Sequence, residues 1–152
     1  MRMSAIAAAA CAALATAALA GPFDQFKGKM KEGMYEYKMT MDMGPVPGMP
    51  AGMGKQNFSF QRCLTAKDVE DGAFSKGREK AAENCEVKDL KMSGNTASYR
   101  MECKGEGQMK ADNKITFLPN GFDMDMNMSM VRNGQPMNMT QHMEGRNLGP
   151  CK

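Results

Sequence analysis

Two stretches of the chain alternate between apolar and polar residues. From Tyr35 to Met43 the odd positions carry Tyr or Met, and from Phe122 to Met130 the even positions carry Phe or Met, with polar residues between them. A period of two places successive side chains on opposite faces of a strand. Each stretch therefore predicts a β-strand with one apolar face and one polar face.

Turn residues between such stretches set the predicted registers. Asn133-Gly134 favours a two-residue hairpin turn, because both central positions of that turn need a positive φ. The turn opposes Met130 to Met137 and so places the methionines of both strands on one face. The same register opposes Met128 to Met139, Met126 to Gln141 and Met124 to Met143.

Three further turn signals divide the chain between residues 85 and 122. Asn120-Gly121 predicts another two-residue turn, whereas Asp112-Asn113 and Ser93-Gly94-Asn95 are expected to form three-residue loops. About five or six antiparallel strands then run from residue 85 to residue 145. The expected neighbours are Phe117 and Met124, Met109 and Ile115, Val87 and Met101, and Cys85 and Cys103.

The first half of the chain predicts two more strands and a helical insert. Strands are expected over residues 33–43 and 55–63, joined by a Pro/Gly/Met-rich loop over residues 44–54. The period of two disappears over residues 65–84. That segment is therefore predicted to be helical.

Helix signals within the insert place its elements. Thr65-Ala66-Lys67-Asp68 resembles a capping box with Asp in place of the usual Glu or Gln, and residues 78–84 have a helix-forming composition. Two short helices are therefore expected. Residues 22–31 are expected to add a helical turn or two that carries Phe23 and Phe26.

Methionine has to supply much of the core. Of the 19 methionines, 17 follow residue 20, beside four Leu, four Val, one Ile and seven Phe. These branched and aromatic residues make up about 12% of residues 21–152. A chain with less than roughly 20% of them is typically disordered, so a folded core needs the methionines as well. We therefore expect most of the methionines to be buried on the apolar face of the sheet.

Together these elements predict a mainly β fold with minor helix. An antiparallel meander of about seven or eight strands forms a curved sheet or an open barrel, with a short helical insert. Residues 21–152 are expected to form a single β-rich domain, because their number suits one hydrophobic core.

The first 20 residues predict a cleaved signal peptide. Arg2 precedes an alanine-rich apolar run that contains Cys11, and Ala18-Leu19-Ala20 forms a small-x-small cleavage site before Gly21. The run is too short to anchor the chain in a bilayer. We expect a periplasmic or secreted protein without a transmembrane segment.

Four cysteines follow the signal, which in an exported chain predicts two disulfides. Three pairings are possible, and the hairpin register that opposes Cys85 to Cys103 selects one of them. That choice leaves Cys63 to pair with Cys151. Chain entropy makes the shorter loop worth about 3 kcal/mol and the longer loop about 4.5 kcal/mol.

Several segments match a pattern seen in one known family. They are Met30-Lys31-Glu32-Gly33-Met34-Tyr35-Glu36 at the first strand, the Met/Pro/Gly-rich loop, Gln61-Arg62-Cys63-Leu64-Thr65 before the helical insert, and the Met-rich strands that end near Cys151. Together they resemble the bacterial domain-of-unknown-function family numbered 3617. The resemblance implies a small exported protein in the periplasm of Gram-negative bacteria, and it implies no activity.

The residue inventory argues against an enzyme and against nucleic-acid binding. His142 is the sole histidine, and the chain has no Gly-x-Ser-x-Gly, no His-Glu-x-x-His and no phosphate-binding glycine loop. The net charge is +3, without a basic block that would bind nucleic acid. We expect no cofactor.

Two binding hypotheses remain, and an enzyme of unknown type is the less favoured third. Flexible methionines on a sheet adapt to varied apolar shapes, which favours a non-enzymatic periplasmic binding module for an apolar ligand or an envelope partner. Thioether sulfur also suits Cu(I), which favours soft-metal binding as the alternative. The sequence determines neither the ligand nor the oligomeric state. The candidate metal ligands are Met43, Met49, Met53, Met137, Met139, His142 and Met143.

Overall fold

The computed structural model describes residues 24–45, 50, 54–70, 84–105, 108–132 and 134–152. In this part of the chain seven antiparallel strands form one open sheet. The strands are β1 (Gly33–Asp42), β2 (Lys55–Leu64), β3 (Cys85–Ser93), β4 (Thr96–Cys103), β5 (Met109–Leu118), β6 (Gly121–Arg132) and β7 (Gln135–Gly149). The predicted mainly β class with an antiparallel, open sheet is confirmed.

The strand order across the sheet is β2-β1-β7-β6-β5-β4-β3. Strands β3 to β7 follow one another as a meander, while β1 pairs with β7 and carries β2 on its other side. The sequence did not predict the pairing of the first strand with the last, which sets Tyr37 opposite Gly145. This pairing leaves β2 and β3 as the two edges of the sheet.

Two short helical elements lie in the described residues: a 3₁₀ turn over Asp24–Phe26 and helix α1 (Ala66–Glu70). The predicted capping box is present, because the Asp68 backbone N–H donates to Thr65 Oγ1 at 3.2 Å and the Thr65 N–H donates to Asp68 Oδ2 at 3.0 Å. The second predicted helix falls mainly on residues 71–83, which lie outside the described part, as does Phe23.

The β6–β7 hairpin has the predicted register, with Met130 opposite Met137 and Met128 opposite Met139. Cys85 also lies opposite Cys103, as predicted. The agreement in β6–β7 means that turn chemistry and the apolar pattern select the same pairing.

The predicted three-residue loop between β3 and β4 is wrong. Ser93 lies opposite Thr96, so the loop has two residues, and the extra residue lies inside β3 instead. A bulge between Lys88 and Lys91 takes it up, with Asp89 at a φ of 55°. Because the bulge restores the register, the predicted cysteine pair still forms.

The predicted turn at Asp112-Asn113 is also wrong, because β5 continues through it. Asp112 is exposed and accepts a hydrogen bond from Arg100 Nε at 2.9 Å, while Asn113 is 3% exposed on the apolar face. The period of two is therefore unbroken at these residues. Asp and Asn therefore do not end a strand when the side chain of each suits the face on which the alternation places it.

The β5–β6 turn is shifted from its predicted position. Leu118 lies opposite Gly121, so Pro119-Asn120 forms the turn, and Phe117 lies opposite Phe122 rather than Met124. Proline presets the φ of the first central turn position. Gly121 belongs to β6, where a side chain would collide with the carbonyl oxygen of Gly145.

The core lies at one end of the apolar face. Its largest fully buried side chains are Tyr35, Ile115, Phe122 and Met124. Phe26 of the 3₁₀ turn covers this end, with its ring centroid 5.6 Å from that of Phe117. The N-terminal segment therefore closes the half of the face where β5 ends and β6 begins.

The expectation that most methionines are buried is wrong. Of the fifteen methionines in the described residues, Met30, Met124 and Met126 are buried and the other twelve are half-buried. The physical reason is where the N-terminal segment packs. Among the described segments, Phe26 and Met30 pack over one end of the apolar face and leave the other end half-exposed.

Two disulfides join Cys63 to Cys151 and Cys85 to Cys103, the pairing that the hairpin register predicts. The first spans 88 residues and ties edge strand β2 to the segment after β7. The second spans 18 residues and links edge strand β3 to β4. Each edge of the sheet is therefore covalently held.

Candidate functional site

Among the described residues, nine half-buried methionines lie on the apolar face of four neighbouring strands, beside the core and beyond it. They lie on or directly after four neighbouring strands, β1, β7, β6 and β5. We call them the methionine surface: Met39, Met41, Met43, Met109, Met128, Met130, Met137, Met139 and Met143.

The strand registers arrange the methionine surface in rows. One row runs from Met137 on β7 through Met130 on β6 to Met109 on β5. In the next row Met139 lies opposite Met128. Directly opposed residues have Cβ atoms about 5 Å apart, so these thioether side chains lie within contact distance of one another.

Two carboxamides lie in the row that also contains Met41 of the methionine surface. Gln141 and Asn113 flank Met126 from the two neighbouring strands. The Asn113 Nδ2 donates to the Ala111 carbonyl at 3.1 Å, and no donor in the described part of the chain bonds to Asn113 Oδ1. A buried acceptor without a donor costs free energy. Because Asn113 is 3% exposed, this acceptor belongs to the packed part of the face and not to its exposed part.

A pocket of about 470 Å³ lies between the end of β1 and the start of β7, where the methionine surface ends. Its volume is within the range of small-molecule sites. A larger pocket of about 590 Å³ lies near the Cys63–Cys151 disulfide, and none of its lining residues in the described part of the chain is a methionine. The smaller pocket is lined by Met43, Gly44, Pro45, Gln135, Pro136, Met137 and Asn138.

His142 lies on the polar face, opposite to the methionine surface. Its Nδ1 is 2.7 Å from Asp125 Oδ1 and its Nε2 is 3.5 Å from Glu144 Oε1. The hydrogen bond with Asp125 raises the pKa of His142 above the ordinary histidine value, although partial burial opposes this effect. Successive strand residues face opposite sides, so the structure does not bring His142 together with Met139 or Met143.

The other predicted metal ligands divide into three groups. Met43 and Met137 line the same pocket, and Met139 and Met143 lie further along β7 on the same face. Met49 and Met53 lie outside the described residues. Within the described ranges, no group of three or more His, Cys, Asp or Glu side chains could hold a metal ion.

Five members of the methionine surface were predicted as core and not as site residues. The period of two identifies the face that a side chain occupies, but it does not show how far along the strand that face is covered. Among the described residues the helical elements are one 3₁₀ turn and one five-residue helix, which are short beside seven strands. The ratio of predicted helix to predicted strand is therefore the signal that could have found them. These five are Met39, Met41, Met109, Met128 and Met130.

The fold and the site define a small disulfide-linked β-sheet protein whose apolar face is closed at one end and lined with methionine at the other. A family model described as "Protein of unknown function (DUF3617)" matches residues 30–151, and the chain belongs to this family. No curated protein and no solved structure matches the chain. Among the helices of the described residues, none is long and apolar enough to cross a membrane.

Proposed function

We propose that this protein is a non-enzymatic binding module of the periplasm or the extracellular space, and that it binds an apolar small molecule on the methionine surface. The observation that carries the proposal is the half-burial of nine methionines on four adjacent strands. Methionine is flexible and polarizable, so a surface made of it repacks around apolar molecules of different shape.

Two further features support this function. The pocket between Met43 and Met137 gives a bound molecule a concave end. The ligand class is therefore apolar. The two disulfides suit an oxidising compartment.

The proposal is tested with a matched pair of lysine variants. Met139→Lys places a charge in the middle of the methionine surface, whereas Thr140→Lys places it on the exposed polar face of the same strand, away from the pocket. With a neutral hydrophobic dye as probe, Met139→Lys should raise the Kd at least about tenfold, or about 1.4 kcal/mol. Thr140→Lys should leave the Kd of the wild type unchanged.

Native mass spectrometry of gently purified protein gives an independent readout. A co-purifying lipid or other apolar molecule is expected, and it should be lost from Met139→Lys. The proposal is wrong if the purified protein carries no such molecule and its native state does not bind the dye. Circular dichroism of both variants shows whether the sheet has remained folded.

A second candidate function is Cu(I) binding. The directly opposed pairs Met130 and Met137, and Met128 and Met139, bring thioethers of two strands together, and thioethers suit Cu(I). Anaerobic Cu(I) titration followed by X-ray absorption should then show a Cu–S shell. The double variant Met130→Leu and Met137→Leu should weaken that shell but keep dye binding, because leucine preserves the apolar surface. Absence of a Cu–S shell in the wild type would remove this candidate.

A further inference from the structure

Edge strand β2 has backbone hydrogen-bonding groups that no strand in the described part of the chain satisfies. The Met43 N–H donates to the Gly54 carbonyl at 3.0 Å, directly opposite in the register that pairs Asp42 with Lys55. Hydrogen-bonded pairs alternate along an antiparallel ladder. The even-numbered residues of β2 therefore bond to β1, and the odd-numbered residues point their N–H and C=O groups outward.

The two edges of the sheet differ in their protection against pairing with another strand. Edge strand β3 has a bulge, a positive φ at Asp89, and the charged residues Lys88 and Lys91. Such features blunt an edge. Edge strand β2 has an unbroken register over ten residues and no proline, and residues 57–61 carry no charge.

The middle of β2 has the symmetry that self-pairing requires. Asn57-Phe58-Ser59-Phe60-Gln61 reads almost the same in both directions. An antiparallel two-fold axis at Ser59 opposes each Phe58 to the other copy's Phe60. Both rings lie on the apolar face, where Phe60 stacks on Tyr37 at 4.9 Å, and they are 47% and 45% exposed.

The alternation of outward backbone groups along β2 agrees with the same axis. Ser59 is an odd-numbered residue, so its outward N–H and C=O can bond to the Ser59 of a second copy, and Asn57 can pair in the same way with Gln61. The phenylalanines then occupy non-hydrogen-bonded positions, where Cα atoms of opposed residues approach to about 4.5 Å. No like charges are opposed, because Arg62 faces Gln56 and Lys55 faces Cys63.

We propose that β2 pairs with β2 of a second copy of this chain about a two-fold axis at Ser59. Pairing joins the two sheets edge to edge, with the four phenylalanines in one aromatic cluster on the apolar face. This interface stands on the edge geometry and the sequence symmetry, and it does not depend on the proposed ligand.

Sedimentation equilibrium of the disulfide-intact protein tests the dimer. Ser59→Lys opposes two ammonium groups at the axis, and it should raise the dimer dissociation constant at least about tenfold. Ser129→Lys is the matched control, because Ser129 is an exposed serine on the same polar face of interior strand β6. A monomeric wild type, or a monomer that carries a foreign peptide on β2, would overturn the proposal, as would a Ser59→Lys variant that still dimerises with wild-type affinity.

Ser59→Pro removes the outward N–H without removing a bond to β1, and proline is tolerated at such edge positions. This variant should also be monomeric, with the circular dichroism spectrum of the wild type. If it unfolds, Ser59→Lys and its control Ser129→Lys still test the dimer.

Cysteine cross-linking tests the register. Under mild oxidation Ser59→Cys should form a covalent dimer, because opposed hydrogen-bonded residues have Cα atoms about 5.5 Å apart. Gln61→Cys should not cross-link to itself, but it should cross-link to Asn57→Cys when the two variants are mixed. Equal self-cross-linking of Ser59→Cys and Gln61→Cys would contradict the two-fold axis.

Discussion

Gly145 shows how a single residue organises the core. It lies on β7 between Tyr37 on β1 and Phe122 on β6, and the rings of these two residues meet with centroids 6.0 Å apart. A Cβ on Gly145 would collide with the Phe122 ring, which is fully buried. The missing side chain therefore makes room for an aromatic contact between strands that are not neighbours.

Gly145→Ala should destabilise the fold by about 1 to 3 kcal/mol, the usual cost of overpacking a core. Urea denaturation followed by circular dichroism measures the loss. Thr140→Ala, at an exposed position of the same strand, is the control and should change stability by less than about 1 kcal/mol. Equal midpoints for wild type and Gly145→Ala would show that Phe122 moves aside without cost.

His142 predicts a pH dependence at the residue scale. The hydrogen bond to Asp125 raises the pKa of His142, so the folded state binds its proton more tightly than the unfolded chain does. The stabilisation is complete below the ordinary histidine pKa of about 6.5, and it is lost as the pH rises through the folded pKa. Because His142 is 45% exposed, the effect on stability is small.

A proton NMR titration of His142, the sole histidine, measures this pKa directly. Asp125→Asn should lower the pKa towards the ordinary value, because it removes the main cause of the shift. Asp112→Asn is the control, since that carboxylate pairs with Arg100 on other strands. An unchanged pKa in Asp125→Asn would contradict the hydrogen bond.

At the scale of strands and turns, the sequence predicted most elements but not all of their ends. The β6–β7 register followed from Asn133-Gly134, because the turn and the methionine pattern gave the same answer. At Asp112-Asn113 the turn composition was misleading, since the alternation continued through it. Turn residues are reliable where they interrupt the period of two, and unreliable where they fit within it.

The pairing of β1 with β7 could not be predicted from local patterns. It joins residues more than 100 positions apart, such as Tyr37 and Gly145, and no turn specifies it. The Cys63–Cys151 disulfide is the one sequence feature that pointed to it, because it requires the end of β2 to lie near the chain terminus. Long-range strand order depends on packing across the whole sheet, which local patterns do not report.

The two disulfides should contribute unequally to stability. Replacing Cys63 and Cys151 with serine frees a loop of 88 residues and should cost about 4.5 kcal/mol, whereas replacing Cys85 and Cys103 frees 18 residues and should cost about 3 kcal/mol. Denaturant midpoints of the two double variants show which disulfide contributes more to stability.

Peptide mapping without reduction should link Cys85 to Cys103, and a Cys63 to Cys85 link would refute the hairpin register.

For the whole molecule, the decisive quantity is how much of one sheet face is covered. Composition required methionine to act as core, and the structure confirms this for Met30, Met124 and Met126. The methionine surface shows that the same residue type, on the same face and even on the same strand, also forms a half-buried surface. The boundary between the two follows from where the N-terminal segment packs, which periodicity does not report.

Oxidation by dilute hydrogen peroxide should reveal this boundary along a single strand. Met124 and Met126 are buried and Met130 is half-buried, and all three lie on the apolar face of β6. Sulfoxide formation follows exposure, so Met130 should oxidise at least about tenfold faster than Met124 by peptide mass spectrometry. In denatured, reduced protein the two rates should converge. Equal rates in the native protein would mean that the face is open, or closed, along its whole length, and the methionine surface would then not be a separate site.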